Sequence, residues 1–131
     1  MNGPSASRRF EKLKQAMARL EEAMAEPEDT PYIVDASIQR FEFAFELFWK
    51  TMKGFLELES SARMVNARDV LKQAYASGWI DDEQGWIDLL GMRNSTSHIY
   101  DETMARAVYT QIGARMPLLR KALAVLKSKA D

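Results

Sequence analysis

One segment, residues 31–58, constrains the fold more than any other part of the chain. Its largest apolar side chains recur every three or four residues, at Ile38, Phe41, Phe45, Phe48, Met52 and Phe55. This spacing places all six on one face of an α-helix. Phe43, Leu47 and Trp49 add apolar surface beside that stripe. A helix that is apolar over more than half of its circumference is central to a bundle or lies at an oligomer interface. The sequence leaves both interpretations open.

The rest of the chain is also helical in pattern. Residues 8–25 contain an apolar seam with spacings of three and four, formed by Phe10, Leu13, Met17, Leu20 and Met24. A short helix is predicted over residues 67–76 with Gly78 ending it, and the acidic residues 81–83 begin the next helix. A long last helix starts near residue 101. Four main helices with one extra short helix predict an all-α, up-and-down four-helix bundle.

Local signals predict where the elements begin and end. Residues 1–7 are small and polar, so we expect a disordered or frayed terminus, followed by a single domain over residues 8–128. Thr30 and Pro31 resemble an N-cap and a first helical residue. Residues 59–66 are predicted to form a loop. Pro117 lies inside the last helix and should kink it, because proline removes one backbone hydrogen bond.

Composition excludes several classes of site. The chain has no cysteine, which excludes disulfides, thiolate metal sites and cysteine nucleophiles. It has one histidine, His98, so one chain cannot hold a two-histidine site, whereas two chains could. We expect no metal and no cofactor. The apolar runs are interrupted by Glu46, Lys50 and Lys53, well short of a membrane span, and no signal-peptide pattern opens the chain. A cytoplasmic location without a membrane partner is expected.

Charge is distributed unevenly along the sequence. The net charge is −1 and the pI about 5.9, so the protein as a whole is not a basic nucleic-acid binder. Residues 72–102 contain two basic and six acidic residues, whereas residues 103–131 contain six basic residues and one acidic. We interpret the basic excess as a solvated face of the last helix. The sequence does not decide whether that face lies beside a functional site.

Residues 91–102, GMRNSTSHIYDE, concentrate the chemically versatile side chains of the chain. On one straight helix Arg93 and His98 would lie about 140° apart around the axis, so they would not face one point. Either the helix ends or bends between them, or a site combines residues from two subunits. The spacing therefore favours an irregular junction at an interface.

These residues resemble a known superfamily. Arg93 to His98 match the R-x4-H signature of the HEPN superfamily, and Tyr100 extends it to the R-x4-H-x-Y form of HepT-type toxins. Residues 40–51, RFEFAFELFWKT, resemble the second-helix signature of bacterial nucleotidyltransferase substrate-binding proteins. Gly78-Trp79-Ile80, Trp86 and the MPLL segment at 116–119 follow in the order seen in that group. The resemblance extends from about residue 10 to residue 126.

The resemblance implies a HEPN-like helical bundle, a homodimer, and a minimal nucleotidyltransferase as partner. It implies a metal-independent endoribonuclease in a toxin–antitoxin pair, acting on RNA and neutralised when the nucleotidyltransferase transfers AMP to the motif tyrosine. The catalytic residues would be Arg93 and His98, Asn94 would support them, and Tyr100 would accept AMP. The alternative is a non-catalytic substrate-binding subunit, or a simple AMP acceptor, of a two-component nucleotidyltransferase.

The chemistry of these side chains is compatible with that function. RNA cleavage without metal needs one group to take the 2′-hydroxyl proton and one to protonate the leaving oxygen, and histidine can do either near neutral pH. An arginine can stabilise the negative charge of the scissile phosphate. A dimer would bring two His98 side chains together. AMP on Tyr100 would block the substrate phosphate by bulk and repulsion.

Other polar clusters have simpler structural interpretations. Glu42 and Glu46 are one helical turn apart and could form a carboxylate pair, but Glu46 and Lys50 form a standard helix ion pair. Trp49, Trp79 and Trp86 are interpreted as core or interface anchors rather than base-stacking platforms. The acidic residues 81–83 are explained by a helix start rather than by a metal site.

Overall fold

The computed structural model describes residues 4–60 and 63–131 of the chain. They form α1 (Pro4–Ala25), α2 (Ile33–Glu59), α3 (Ala67–Ala76), α4 (Glu83–Ser95), a 3₁₀ turn (Thr96–His98) and α5 (Glu102–Ala130). Helix α2 contacts α1, α3, α4 and α5, which places it at the centre of the bundle. The predicted all-α bundle with one extra short helix is therefore confirmed. No described helix is both long enough and apolar enough to cross a membrane.

The inner face of α2 forms the core. All six members of the predicted stripe are buried: Ile38, Phe41, Phe45, Phe48, Met52 and Phe55. Phe45 and Phe48 pack against Trp86 of α4, with ring centroids 6.1 and 5.4 Å apart. Phe43 does not join them, because its side chain is 62% exposed on the outer face of α2. The apolar stripe is thus correct. Of the three residues that widen it, Leu47 and Trp49 are partly buried against the core, and only Phe43 points away from it.

Helix α3 ends just before the glycine that the sequence predicts to end it. Gly78 has a φ of 79°, the left-handed conformation that glycine adopts after a helix end. Its N–H donates to the carbonyl of Tyr75, and the Trp79 N–H donates to the carbonyl of Ala74. This pair of bonds is a Schellman motif. The carboxylate of Asp82 then caps α4, which confirms that the acidic residues 81–83 begin a helix.

Helix α1 begins earlier than predicted. Residues 4–7 belong to it, although the sequence placed them in a frayed terminus; residues 1–3 of that predicted segment lie outside the described residues. Ala6 is buried and lies one turn before Phe10, so it extends the apolar seam at its N-terminal end. Burial of this small side chain beside Gly54 of α2 explains the longer helix.

The start of α2 was also predicted wrongly. The helix begins at Ile33, and Tyr32 precedes it in a left-handed conformation with φ 65°. The Thr30 N–H donates to the Pro27 carbonyl and the Ile33 N–H donates to the Thr30 carbonyl. Thr30 and Pro31, which were predicted to be the N-cap and the first helical residue, therefore lie in two successive turns before the helix. In the predicted loop 59–66, α2 continues through Glu59, and residues 61 and 62 lie outside the described residues.

Helix α5 runs as one element through Pro117. Asp101 caps it by accepting a hydrogen bond of 2.8 Å from the Met104 N–H. Near its start, Ala105 and Tyr109 face the core, whereas Met104 is 40% exposed.

Candidate functional site

The R-x4-H-x-Y motif spans the junction between α4 and α5. Helix α4 ends at Ser95, and residues Thr96–His98 continue as one 3₁₀ turn before the cap of α5. The helix therefore ends between Arg93 and His98, as their spacing predicts. The break does not bring the two side chains together, because Arg93 pairs with Glu46 of α2 whereas His98 contacts Tyr100.

Arg93 is held by the outer face of α2. Its guanidinium Nη2 forms an ion pair with Glu46, and Nη1 lies 3.3 Å from the side-chain oxygen of Asn94. Glu46 also pairs with Lys50 at 3.3 Å, so the predicted helix ion pair is confirmed. Partial burial raises the pKa of Glu46, but a Trp49 hydrogen bond and the charges of Arg93 and Lys50 outweigh it. The net effect lowers the pKa of Glu46, so the ionised form of this carboxyl is favoured in the fold.

A second contact ties the 3₁₀ turn to α2. The Thr96 hydroxyl lies 2.9 Å from Glu42 Oε2 and 2.8 Å from the Arg93 carbonyl oxygen, and it can donate to either. Glu42 and Glu46, one turn apart on α2, thus hold two positions of the motif. Their spacing in the sequence indicated a shared face, but nothing local in the sequence indicated that the motif packs on it.

His98 and Tyr100 form a pair of their own. His98 Nδ1 lies 3.1 Å from the Tyr100 hydroxyl oxygen, within hydrogen-bond distance. The rings meet edge to face, with centroids 6.3 Å apart. Both side chains are exposed, and Tyr100 is 77% exposed. The structure therefore joins the only histidine of the chain to the tyrosine that the motif resemblance marks as an AMP acceptor.

Open cavities flank the junction, and two of them separate the motif residues. Arg93 and Asn94 line one of about 630 Å³ together with Glu42, Glu46 and Phe43. A second cavity of about 490 Å³ is lined by Tyr100, Tyr32 and Arg106 among others. His98 lines neither of these two cavities. Within one chain, the predicted residues therefore divide between Arg93 with Asn94 on one side and His98 with Tyr100 on the other.

The basic excess of α5 is largely neutralised. Five of its six basic residues are in ion pairs with acidic residues, namely Arg106, Arg115, Arg120, Lys121 and Lys129. A strong example is Arg120, whose hydrogen bonds to Glu21 lower the pKa of that carboxyl. The interpretation of this region as a simple solvated basic face was incomplete, since acidic residues from other parts of the bundle compensate the charge.

The remaining polar clusters have structural roles. Trp86 and Trp79 are buried in the core, and Trp49 is partly buried against it, as anchors should be. Asp81 pairs with Lys121. Within residues 4–60 and 63–131, no group of three or more acidic or histidine side chains is arranged to hold a metal ion.

Known proteins resemble this chain in sequence and fold. Residues 8–128 match the family described as nucleotidyltransferase substrate binding protein like. A probable ribonuclease HepT from Haemophilus influenzae is 38% identical over 84 residues, which are 61% of this chain and 58% of that protein, less than two thirds of its length.

Two solved structures share the fold. A Thermus thermophilus protein matches with a TM-score of 0.81 and 27% identity, over 88% of this chain and 98% of that one. A Haemophilus influenzae protein, described as showing the fold of a substrate-binding domain of a nucleotidyltransferase, matches with a TM-score of 0.82 and 30% identity. That match covers 90% of this chain and 98% of the other.

The bundle and its R-x4-H-x-Y junction define a HepT-like protein. The chain belongs to the nucleotidyltransferase substrate-binding-protein-like family.

Proposed function

We propose that this protein is a HEPN-type, metal-independent endoribonuclease of a toxin–antitoxin pair, controlled by a minimal nucleotidyltransferase that transfers AMP to Tyr100. The observation that carries the proposal is the 3.1 Å contact between His98 Nδ1 and the Tyr100 hydroxyl. It couples the acid–base group of the ribonuclease to the acceptor of the modification. A change at Tyr100 therefore acts directly on His98.

The cleavage chemistry assigns separate roles to His98 and Arg93. His98 takes the 2′-hydroxyl proton or protonates the leaving 5′-oxygen. Its Nε2 is not used by Tyr100, which bonds to Nδ1. Arg93 has five N–H donors, and Glu46 and Asn94 engage only its Nη atoms. Glu46 thus orients the guanidinium, while the remaining donors bind a phosphate oxygen.

A complete site needs two copies of the chain. Cleavage uses one acid and one base, and each chain contains one histidine. A homodimer with its two motif junctions facing each other supplies both, together with two Arg93 side chains. The exposure of His98 and the open cavity at Arg93 leave these groups available for such an arrangement.

AMP transfer would switch off this arrangement. The Tyr100 oxygen attacks the α-phosphorus of ATP, pyrophosphate leaves, and the phenolic proton passes to a base. His98 Nδ1 is close enough to accept that proton. The product carries a phosphodiester anion and a nucleoside beside His98, which excludes the RNA phosphate by charge and bulk.

The ribonuclease is tested with purified protein, single-stranded RNA and a metal chelator. We expect His98→Ala to lower the cleavage rate by about a hundredfold or more, and Arg93→Ala to lower it strongly. Gln111→Ala, at an exposed position of α5, serves as the matched control and should leave the rate unchanged. Equal rates for wild type and His98→Ala would refute the ribonuclease.

The acceptor is tested by intact-mass measurement after incubation with the partner nucleotidyltransferase and Mg-ATP. Wild type and the control Tyr75→Phe, which alters another exposed tyrosine, should gain adenylyl groups. Tyr100→Phe should gain none. A mass gain that persists in Tyr100→Phe contradicts the assignment, and its loss in Tyr32→Phe would transfer the role to Tyr32, which lines the same cavity.

A second candidate is a non-catalytic substrate-binding subunit of the nucleotidyltransferase. It is favoured by the ion pair of Arg93 with Glu46 and by the acidic residues around the motif, because RNA phosphates need free positive charge. The two functions separate in the experiments above. AMP transfer to Tyr100 without any RNA cleavage by wild type supports the second candidate.

A further inference from the structure

A basic groove runs between α1 and α2. It lies next to the cavity of about 630 Å³ that Arg93 and Asn94 line, which we call the motif cavity. The groove has a volume of about 440 Å³, and its lining includes Lys12, Arg19, Gln39, Arg40 and Phe43. Three of these residues are basic and none is acidic. The contrast with the motif cavity is clear, because that cavity contains the carboxylates of Glu42 and Glu46.

The cations of this groove are not neutralised. The ion pairs of the described residues include neither Lys12, Arg19 nor Arg40. Arg40 donates a 2.8 Å hydrogen bond to the Arg19 carbonyl, which fixes its guanidinium in the groove wall. On α5, by contrast, five of six basic residues are paired. Among the described residues, three cations outside these ion pairs therefore lie together in the groove, whereas the last helix has one, Lys127.

The basic groove is continuous with the motif cavity. Gln39 and Phe43 line both. Phe43 is 62% exposed at the boundary between them. Lys12 and Arg19 lie two turns apart on the same face of α1, about 10.5 Å along the axis. A chain of phosphates could follow these cations toward Arg93.

We propose that this groove binds single-stranded RNA and leads it to the motif. Lys12, Arg19 and Arg40 contact the backbone phosphates, and the ring of Phe43 stacks on one base. The choice of single-stranded RNA follows from Phe43, because base stacking on a side chain needs an unpaired base face. The inference rests on the proposed ribonuclease and adds the surface that holds its substrate. It also explains how a motif surrounded by carboxylates receives a polyanion.

The phosphate contacts are tested by binding of a short fluorescein-labelled single-stranded RNA to the non-cleaving His98→Ala protein. Fluorescence anisotropy gives the affinity at several salt concentrations. Adding Lys12→Gln and Arg19→Gln should reduce the slope of log affinity against log salt by about 1.4, since each lost phosphate contact contributes about 0.7. The matched control adds Lys72→Gln and Lys127→Gln, two exposed cations elsewhere with the same total charge change.

The stacking contact is tested in the same assay. Phe43→Ala should weaken binding about fivefold to a hundredfold with little change in salt slope, and Phe43→Trp should restore it. Because Phe43 is exposed, urea unfolding of these variants should match that of the parent protein. A purely structural residue would not show rescue of RNA affinity by a second aromatic ring.

Each outcome decides the inference. Equal affinity and salt slope for the groove double variant and its control would overturn it, as would equally tight binding of double-stranded RNA. A different result would refute the ribonuclease alone: RNA binds through the groove, but the wild-type protein does not cleave it. Conversely, the groove substitutions could leave the cleavage rate of the wild-type protein unchanged. That result would support the proposed ribonuclease and refute RNA binding in the groove.

Discussion

Phe45 and Phe43 lie two residues apart on α2, yet the first is fully buried against Trp86 and the second is 62% exposed. The same residue type is therefore buried on one face of the helix and exposed on the other. The inner face forms the core of the bundle. The outer face carries Phe43 beside Glu42 and Glu46, which hold the motif through Thr96 and Arg93. The number of apolar residues on α2 does not distinguish the two faces. The position of each residue in the repeat of three or four residues does distinguish them.

The inner face of α2 stabilises the bundle, and the outer face positions the motif. Burial on the inner face stabilises the helix without involving the motif junction. Contacts on the outer face fix the direction of the 3₁₀ turn and the guanidinium while leaving them accessible. Substitutions on the two faces should therefore have separable effects on stability and on the proposed RNA cleavage.

The largest expected effect is on the inner face. Phe45→Ala should destabilise the fold by about 3–5 kcal/mol, because it removes a buried ring and leaves a cavity beside Trp86. Phe43→Ala should change the free energy of unfolding by less than about 0.5 kcal/mol. Urea unfolding at equilibrium measures both. Similar losses for the two variants would break the distinction between the faces.

A smaller effect is expected where the outer face holds the 3₁₀ turn. Thr96→Val removes a hydroxyl that contacts Glu42 and the Arg93 carbonyl, so stability should fall by about 1 kcal/mol. Ser97→Ala, at the exposed neighbouring position, is the control and should have little effect. Urea unfolding measures this difference, and equal curves for the two variants would show that neither contact of the hydroxyl stabilises the turn.

The ion pair of Glu46 should give a pH-dependent effect. The net lowering of the Glu46 pKa means that its ionised form stabilises the fold above about pH 4.5, the ordinary carboxyl value, and that this contribution is lost as pH falls through the lowered pKa. Wild type should exceed Glu46→Gln by about 0.5 kcal/mol at pH 7. The difference should shrink toward zero in acid. A difference that grows as pH falls would contradict the direction of the shift.

The smallest effect concerns Lys50, the exposed partner of Glu46. Lys50→Ala should cost about 0.3 kcal/mol, the usual contribution of an ion pair one helical turn apart. Thermal unfolding at low and high salt checks it, because screening should reduce the difference between the proteins. A cost that stays constant in high salt would indicate packing of the Lys50 stem rather than charge.

Local patterns predicted much of this fold. The buried stripe of α2, the glycine that ends α3, the acidic start of α4 and the start of α5 near residue 101 all depend on residues close in sequence. The start of α1 and the turns before α2 were missed, because burial of Ala6 and the conformation of Tyr32 depend on packing between elements.

The candidate site was predicted only in part. The motif gave Arg93, Asn94, His98 and Tyr100, and the helix break between Arg93 and His98 followed from their spacing. The support from Glu42 and Glu46 was not predicted, since it joins residues 54 and 47 positions apart. The basic groove was missed for the same reason: its cations come from two helices, and the net charge of the chain conceals them.

The central claim is that cleavage uses His98 from two chains. Its most direct test is the cleavage rate of wild-type protein mixed with His98→Ala and refolded together at a fixed total concentration. If one site needs both histidines of a dimer, a half-and-half mixture should retain about one quarter of the wild-type rate, because only that fraction of dimers is fully wild type. A mixture that retains about one half would mean that each chain acts alone and would contradict the two-chain site.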